Sequence, residues 1–191
     1  MMEWDNSLKL NLSSWNQEFK CSIFSVHRAT VNPVNGSQTL NVFKLHLADW
    51  VNVVPMTSSG QLILVEQHRF GSNTLTLETP GGAVESSEKD VTVAAQRELE
   101  EETGYSSQRL VALPSFLPNP AIQQNKITFF LAMNCVPLAK PLDHEDPFEQ
   151  VKVHLVDFKE ACHWVRTGQI KHSLAALGIL LAEPYLNSQS S

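Results

Sequence analysis

Residues 81–105, GGAVESSEKDVTVAAQRELEEETGY, set three carboxylates on one side of a helix directly behind a pair of glycines. At about 100° per residue, Glu98 and Glu102 lie one turn apart with Glu101 beside them, while Glu100 projects away. Like charges at this spacing cost a few tenths of a kcal/mol per pair on an exposed helix. The crowding becomes favourable once a hard divalent cation takes up the charge, because Mg²⁺ prefers carboxylate and water oxygens. An apolar stripe of Val91, Ala95 and Leu99 is expected on the opposite side, giving the helix a core face and an acidic face. A solvated acidic helix is the plain alternative. Against it stands the ordered set Gly82, Glu88, Arg97, Glu98, Glu101, Glu102 and Gly104. At roughly 6% per residue type, such a set arises by chance in about one chain per million.

The length and composition of the chain fit a single compact domain. Its 191 residues, 42% hydrophobic, can bury one sizeable core. A net charge of −6 and the lack of any Lys/Arg run argue against a nucleic-acid partner. Cys21, Cys135 and Cys162 are few, odd in number and without metal or redox spacing, which suits a reducing compartment. The start is acidic without an apolar leader, and no run approaches the ~18 residues of a membrane span. A soluble, cytoplasmic protein is the expectation. Seven scattered histidines without an i,i+4 pair argue against a zinc site, and most read as surface or interface residues.

Strands are expected at Phe19–His27, Thr39–His46 and Trp50–Val54, with Asn35-Gly36 as a turn between the first two. Gln61–Gln67 and Thr74–Glu78 follow as strands, then the glycines and the acidic helix. Beyond it come strands at Leu110–Leu113, Ile127–Met133 and Gln150–Val156. Asp157 reads as an N-cap to a helix over Phe158–Thr167 that stops at Gly168, and a last helix over Ser173–Glu183 stops before Pro184. Asn187–Ser191 reads as a disordered tail. Mixed strands with one helix among them and two at the end fit an α/β (α+β) fold, layered α/β/α around a mixed sheet.

The acidic segment resembles the signature of the Nudix hydrolases, G-x5-E-x7-R-E-U-x-E-E-x-G-U with U bulky and apolar. Gly82, Glu88, Arg97, Glu98, Leu99, Glu101, Glu102 and Gly104 take its fixed positions, and Tyr105 takes the last U. Eight residues rather than seven separate Glu88 from Arg97. The extra one falls in or near Ser86–Asp90, before the helix is established, so it is expected to lengthen the loop and leave the acidic face unrotated. The resemblance implies the Nudix sandwich over residues 50–186 and a β-rich N-terminal extension over 1–49, with 187–191 as tail. The extension resembles the N-terminal domain of ADP-ribose pyrophosphatases, which implies a homodimer.

Further matches narrow the resemblance. Glu66-Gln67-His68-Arg69 followed by Leu77-Glu78-Thr79-Pro80-Gly81-Gly82 resembles the "Q-x-R … L-E-x-P-A-G" pattern of nucleoside diphosphate-sugar hydrolases. Arg69 has the rigid donor fork that suits a diphosphate, and the alternative is a structural pair between Arg69 and Glu78. Pro120 matches a proline in a loop beside the adenosine. The stretch from His144 to Ala182 resembles the subfamily's acidic loop, strand and terminal helices. It offers Glu149, Glu145 and Asp146 as loop carboxylates able to act as base or metal partner, Glu149 first because it lies nearest the strand.

The resemblance therefore implies hydrolysis of the pyrophosphate bond of a nucleoside diphosphate sugar, of the ADP-ribose or GDP-mannose kind, with Mg²⁺ or possible replacement by Mn²⁺. Glu98, Glu101, Glu102 and the Gly81 carbonyl are the expected metal ligands. Arg97 is expected to orient the carboxylates, Arg69, Glu78 and Pro120 to line the substrate, and Glu149, Glu145 or Glu101 to take the proton. Hydrolysis of dinucleotides such as NADH, FAD or diadenosine polyphosphates is the alternative within the enzyme class. A sensor that binds ADP-ribose-like ligands without cleaving them is the alternative outside it.

Overall fold

Runs rich in Val, Ile, Thr and Phe become strands, eleven of them together with three helices among the residues that the computed structural model describes, 10–32, 38–140 and 150–188. They fall into two units. The first takes the chain up to Ala48 together with Leu117–Asn125, and the second takes Asp49–Phe116 together with the chain from Lys126 onward.

In the first unit, β3 (Ser25–Asn32) is the centre of an antiparallel sheet. It pairs with β4 (Leu40–His46) from Ser25↔His46 to Val31↔Leu40, with β2 (Asn16–Lys20) at its start and with β1 (Asn11–Leu12) at its end. The strand expected over Phe19–His27 is in fact two. The chain reverses at Cys21–Phe24, where the Cys21 N–H donates to the Phe24 carbonyl at 2.9 Å. Its apolar residues straddle a turn that lacks glycine, proline or asparagine, which is why periodicity alone misses it. The Asn35-Gly36 turn lies outside the described residues.

The second unit is built on β5 (Trp50–Thr57), β6 (Gln61–Arg69), β7 (Thr74–Glu78), α1 (Val91–Thr103), β8 (Tyr105–Ser106), β9 (Arg109–Phe116), β10 (Ile127–Pro137), β11 (Val151–Asp157), α2 (Phe158–Arg166) and α3 (Ser173–Asn187). The strand order is β11-β6-β5-β10-β8, with β7 added to β6 and β9 to β10. The β5–β10 pair is parallel and the others antiparallel, so the sheet is mixed. Alternation along the strands divides the core in two. Val51, Val53, Ile63, Phe130 and Ala132 face α1 through Ala94, Ala95 and Leu99. Val54, Leu62, Leu64, Phe129 and Leu131 face α2 and α3 through Phe158, Ala161, Ala175 and Ile179. This is the α/β/α sandwich that the element order and the resemblance imply. Each fully buried Leu, Val or Phe contributes roughly 1.5–3 kcal/mol, and these two layers hold the sheet between the helices.

The helix ends follow local chemistry. Asp90 caps α1 by accepting from the Thr92 N–H at 2.8 Å. Gly104, at φ +70°, ends the helix in the left-handed conformation, and its N–H donates to the Glu100 carbonyl. Asp157 caps α2, and Gly168 follows its end at φ +73°. Pro184 does not stop α3, which runs on to Asn187. A proline in the last turn forfeits one main-chain bond, while continuing the helix brings Leu186 onto the core. Asn187, expected in the tail, is thus helical, and residues 189–191 lie outside the described residues. Among the described residues no helix is long and apolar enough to cross a membrane.

Gly178 sets how closely α3 approaches the sheet. A Cβ there would lie 2.7 Å from Asn52 Oδ1 and 3.1 Å from the Phe129 ring. Asn52 is buried and has little room to yield, because its Oδ1 accepts from Thr79 Oγ1 at 2.9 Å. Gly178→Ala is therefore expected to destabilise the protein by about 1–3 kcal/mol despite alanine's better helix propensity. A urea titration checks this, and a midpoint equal to or above that of the parent would refute it.

Candidate active site

After a single shared pair, Met56↔Leu62, β5 and β6 part company, and the chain after β7 fills the opening. The Val53 N–H donates to the Pro80 carbonyl at 2.8 Å, Val51 to Gly82 at 2.9 Å, and Val84 to the Asp49 carbonyl at 2.8 Å. Residues 80–84 thus run antiparallel beside the start of β5, with a bridge at Trp50↔Ala83. In an extended segment the N–H and C=O of one residue point the same way and those of the next point oppositely. Pro80 and Gly82 turn to β5, so Gly81 turns away from it. Its N–H donates to Glu102 Oε2 at 2.9 Å, and its carbonyl lies on that same side. The two glycines meet two separate needs. A Cβ on Gly81 would collide with the Val51 carbonyl oxygen, whereas one on Gly82 would lie 2.5–2.8 Å from the Glu98 carboxylate.

This packing corrects the expected division of α1 into opposite apolar and acidic faces. Glu98 is buried among Ala94, Ala95 and Leu99, and Glu102 is partly buried on the same side. On a helical wheel both carboxylates fall within about 60° of Ala95, so they share the sector that faces the sheet. They are accommodated because the residues they meet are the backbone of Gly81 and Gly82. Glu101 lies at the edge of this sector and is 47% exposed, and Glu100 projects away to accept from Gln96 Nε2.

Arg97 ties the carboxylates together. Its Nε and Nη2 donate to the two oxygens of Glu88 at 2.9 and 3.2 Å, and Nη2 also donates to the Ala83 carbonyl at 3.0 Å. Its Nη1 donates to Glu98 Oε1 at 2.8 Å and to Glu101 Oε2 at 3.0 Å. Three anions around one guanidinium raise its pKa above the ordinary range, the Glu88 bonds contributing most. Glu88 is in turn held below the usual carboxylate range by Arg97 and by the Glu85 N–H. Arg97 reaches Glu88 across the extra residue, with Glu88 closing a turn in which its N–H donates to the Glu85 carbonyl at 3.0 Å and α1 starting behind the Asp90 cap.

Glu102 behaves in the opposite way. Burial pushes its pKa up to about 8, and the charges of Glu98 and Glu78 add to that, while the Gly81 N–H and Arg69 oppose it. Arg69 and Glu78 therefore lie near enough for their charges to act on Glu102. They form a bidentate pair, Nε to Oε1 at 2.8 Å and Nη2 to Oε2 at 2.6 Å, which is the structural pairing weighed in the sequence. Glu78 is fully buried and also accepts from Thr76 Oγ1 at 2.5 Å, whereas Arg69 stays 41% exposed. Burial raises the Glu78 pKa, but Arg69, Thr76 and His172 outweigh it, so the carboxyl titrates below its usual range.

His172 is the residue that sequence reasoning missed. It is the N-cap of α3, with Nδ1 accepting from the Ala175 N–H at 3.3 Å and lying 3.4 Å from Glu78 Oε2. A helix was expected to start at Ser173, and the signal left unused is that a polar residue just before an apolar helical run is a cap whose side chain has a fixed place. Of the other expected residues, Pro120 lies in the Leu117–Asn125 segment, which belongs to the first unit. Glu145, Asp146 and Glu149 lie outside the described residues.

Comparisons with known proteins agree with this construction. The NUDIX domain profile matches residues 46–175. The chain is 28% identical over 153 residues to the ADP-ribose pyrophosphatase of Bacillus subtilis (strain 168), which covers 79% of this chain and 82% of that protein. It is 29% identical over 131 residues to the methanol dehydrogenase activator of Bacillus methanolicus, covering 68% and 69%. A crystal structure of an ADP compounds hydrolase shares the fold, with a TM-score of 0.79 over 95% of this chain and 96% of that one at 19% identity. With the profile spanning more than half its length and the glycine loop, Arg97 and the α1 glutamates in place, the chain belongs to the Nudix hydrolase family.

Proposed function

We propose that this protein hydrolyses the pyrophosphate bond of a nucleoside diphosphate sugar, of the ADP-ribose or GDP-mannose kind, in the presence of Mg²⁺, with Mn²⁺ as a possible replacement. The observation that carries this reading is the meeting of Glu98 with Gly82 and of Glu102 with the Gly81 N–H, beside the Arg69–Glu78 pair. The name of the Bacillus subtilis relative supports the substrate class.

The donor set suits Mg²⁺. It consists of hard oxygens only, and Mg²⁺ is commonly held by one or two carboxylates completed by water and substrate phosphates. Among the described residues no three acidic, histidine or cysteine side chains converge as a closed cage. Glu98, Glu102 and the Gly81 carbonyl would hold the ion, with Glu101 supporting. When bound, the ion neutralises phosphate oxygens and makes water more acidic. Arg97 keeps Glu98 and Glu101 fixed in place, and Arg69 presents a cationic fork to a phosphate. In the reaction the oxygen of water bonds to one phosphorus, the bridging P–O bond breaks, and the departing phosphate keeps the electron pair. The water proton passes to a carboxylate, Glu149 by this proposal, with Glu145, Asp146 or Glu101 as substitutes. The products are a nucleoside monophosphate and a sugar phosphate.

We further infer a homodimer formed through the first unit. Phe19 and Phe43 are each more than half exposed, and their β3 partners Val26 and Arg28 alternate onto one face, so both rings lie on that same face. Light scattering is expected to give a dimer for the parent and a monomer for the Phe19→Glu/Phe43→Glu double variant. A monomeric parent would refute this.

Glu102→Gln is expected to lower kcat by about 10²–10³-fold, the scale of losing one principal electrostatic group. The same variant reports on the buried carboxylate. In the metal-free protein the folded pKa of Glu102, about 8, stands above that of the unfolded chain, so between about pH 4.5 and 8 the folded state holds a proton that the unfolded state has lost. Stability then falls as pH rises through this window, by up to a few kcal/mol. Glu102→Gln should remove that loss, matching the parent at pH 5 and melting above it at pH 8. Undiminished turnover would sink the assignment, as would identical melting profiles. Incubation with Mg²⁺ and a panel of ADP-ribose, GDP-mannose, UDP-glucose, NADH, FAD and a diadenosine polyphosphate tests the substrate class. Nucleoside monophosphate is expected from the sugar nucleotides. Preference for the dinucleotides would overturn the class, and binding without products would point to a sensor.

A further inference from the structure

We propose that Asn52 is a positioning residue for the glycine loop, acting through Thr79. The inference rests on the proposed function only in taking Gly81 and Glu102 as part of the place where a metal ion is held. Thr79 stands where the chain changes strands. Glu78, just before it, pairs with Val65 of β6, and Pro80, just after it, gives its carbonyl to the Val53 N–H of β5. Asn52 lies between Val51 and Val53, whose N–H groups both serve the loop, and it meets the crossing residue with its side chain. Its Oδ1 accepts from Thr79 Oγ1 at 2.9 Å, and its Nδ2 donates to the Thr79 carbonyl at 3.4 Å. One orientation of the amide satisfies both contacts, since reversing it would set Oδ1 against a carbonyl oxygen.

Burial gives this pair its weight. Asn52 is 4% exposed and Thr79 2%, on a strand that is otherwise apolar from Val51 to Met56. Gly178 lets the backbone of α3 close over the amide, where a Cβ would come within 2.7 Å of Oδ1. With the amide covered, an apolar side chain at position 52 would leave the Thr79 hydroxyl and carbonyl without a partner. What the pair fixes is the approach to Gly81. Pro80 is the single residue between, its ring locks φ, and its carbonyl is tied to Val53. Gly81 has no side chain to hold it and the widest backbone freedom of any residue. The direction of its N–H, 2.9 Å from Glu102 Oε2, is therefore set by anchors on either side: Asn52–Thr79 and Val53–Pro80 before it, and Val51–Gly82 after it. Of these three the first is made by side chains, so it is the one that substitution can remove. Asn52 is covered by α3 and Glu102 belongs to α1, so the link runs through the sheet from one helical layer to the other.

Thr79→Val removes the hydroxyl at nearly equal volume, and Thr79→Ser keeps it. The measurement is amide hydrogen exchange at Gly81, followed by NMR in the metal-free, full-length protein, with the amides of β10 in the same sample as a reference. General loss of stability speeds both, whereas loss of an anchor speeds Gly81 alone. For Thr79→Val we expect Gly81 to exchange about fivefold to tenfold faster relative to β10, the scale of one buried hydrogen bond. Affinity for Mg²⁺, read from the shift of the Gly81 amide as MgCl₂ is added, should weaken by about tenfold, as when a group that orients a ligand is lost. Thr79→Ser should restore both to within about twofold of the parent. Asn52→Ala, which removes the same bond from the other side, serves in place of Thr79→Val if that variant melts early. Gly81 exchange that changes only in step with β10 would overturn the proposal and leave Asn52–Thr79 as a bond of the core. Selectively faster exchange with unchanged Mg²⁺ affinity would overturn the part that links the anchor to the ion. If the Gly81 amide of the parent does not respond to Mg²⁺, the proposed metal site fails, and the exchange comparison still decides whether Asn52 positions the loop.

Discussion

Two carboxylates are held on the side of a helix that faces the sheet, and much of the second unit is shaped by the need to accommodate them. Glu98 and Glu102 share a sector with Ala94 and Ala95, where a globular helix would ordinarily place apolar side chains. They can stay because β6 leaves β5 after one pair and the opening is filled by a glycine loop rather than by side chains. Gly82 is flush against Glu98, and Gly81 gives its N–H to Glu102. The parting of the strands, the paired glycines and the buried glutamates are thus one arrangement seen from three sides.

Charge is balanced unevenly across this arrangement. Arg97 serves Glu88, Glu98 and Glu101 together, and Arg69 serves Glu78. Among the described residues Glu102 has the Gly81 main-chain N–H as its close partner, together with the more distant field of Arg69, and burial opposes its ionisation. A carboxylate that resists losing its proton when alone binds a cation in competition with protons. The least compensated residue of the group is therefore the one whose state would change most on metal binding.

How much of this could be read from the chain differs from residue to residue. The sandwich was legible because the strands β5, β6 and β10 are dense apolar runs, and because Asp157, Gly104 and Gly168 punctuate the helices in the ordinary way. The site was legible as a set of residue types in order, Gly82, Glu88, Arg97, Glu98, Glu101, Glu102. Its orientation was misread, since the apolar stripe was set opposite the glutamates when 100° steps put them in one sector. The bidentate Arg69–Glu78 pair follows from the register that brings Arg69↔Thr74 and Val65↔Glu78 along β6 and β7, which no local pattern states. His172 was illegible for a related reason. Its partner is 94 positions earlier in the chain, and single-residue contacts across that distance leave no periodicity.

The one departure from the family's spacing shows what such a signature constrains. Eight residues separate Glu88 from Arg97 where the resemblance has seven, yet Arg97 still grips both oxygens of Glu88. The reason is that the pair bridges a loop and a helix. Arg97 lies on the second turn of α1, whose start is fixed by the Asp90 cap, and Glu88 sits at the close of a turn that begins at Glu85. A residue added between them lengthens the path without moving either end, and a guanidinium on a long side chain covers any small residual shift. The spacing within Arg97–Glu102 has no such freedom. One residue inserted there would turn Glu102 by about 100° relative to Glu98 and take it from the glycine loop into solvent. Spacing is therefore strict along the helix and loose across the loop. The chain keeps the family's pattern to the residue in the first region and departs from it in the second.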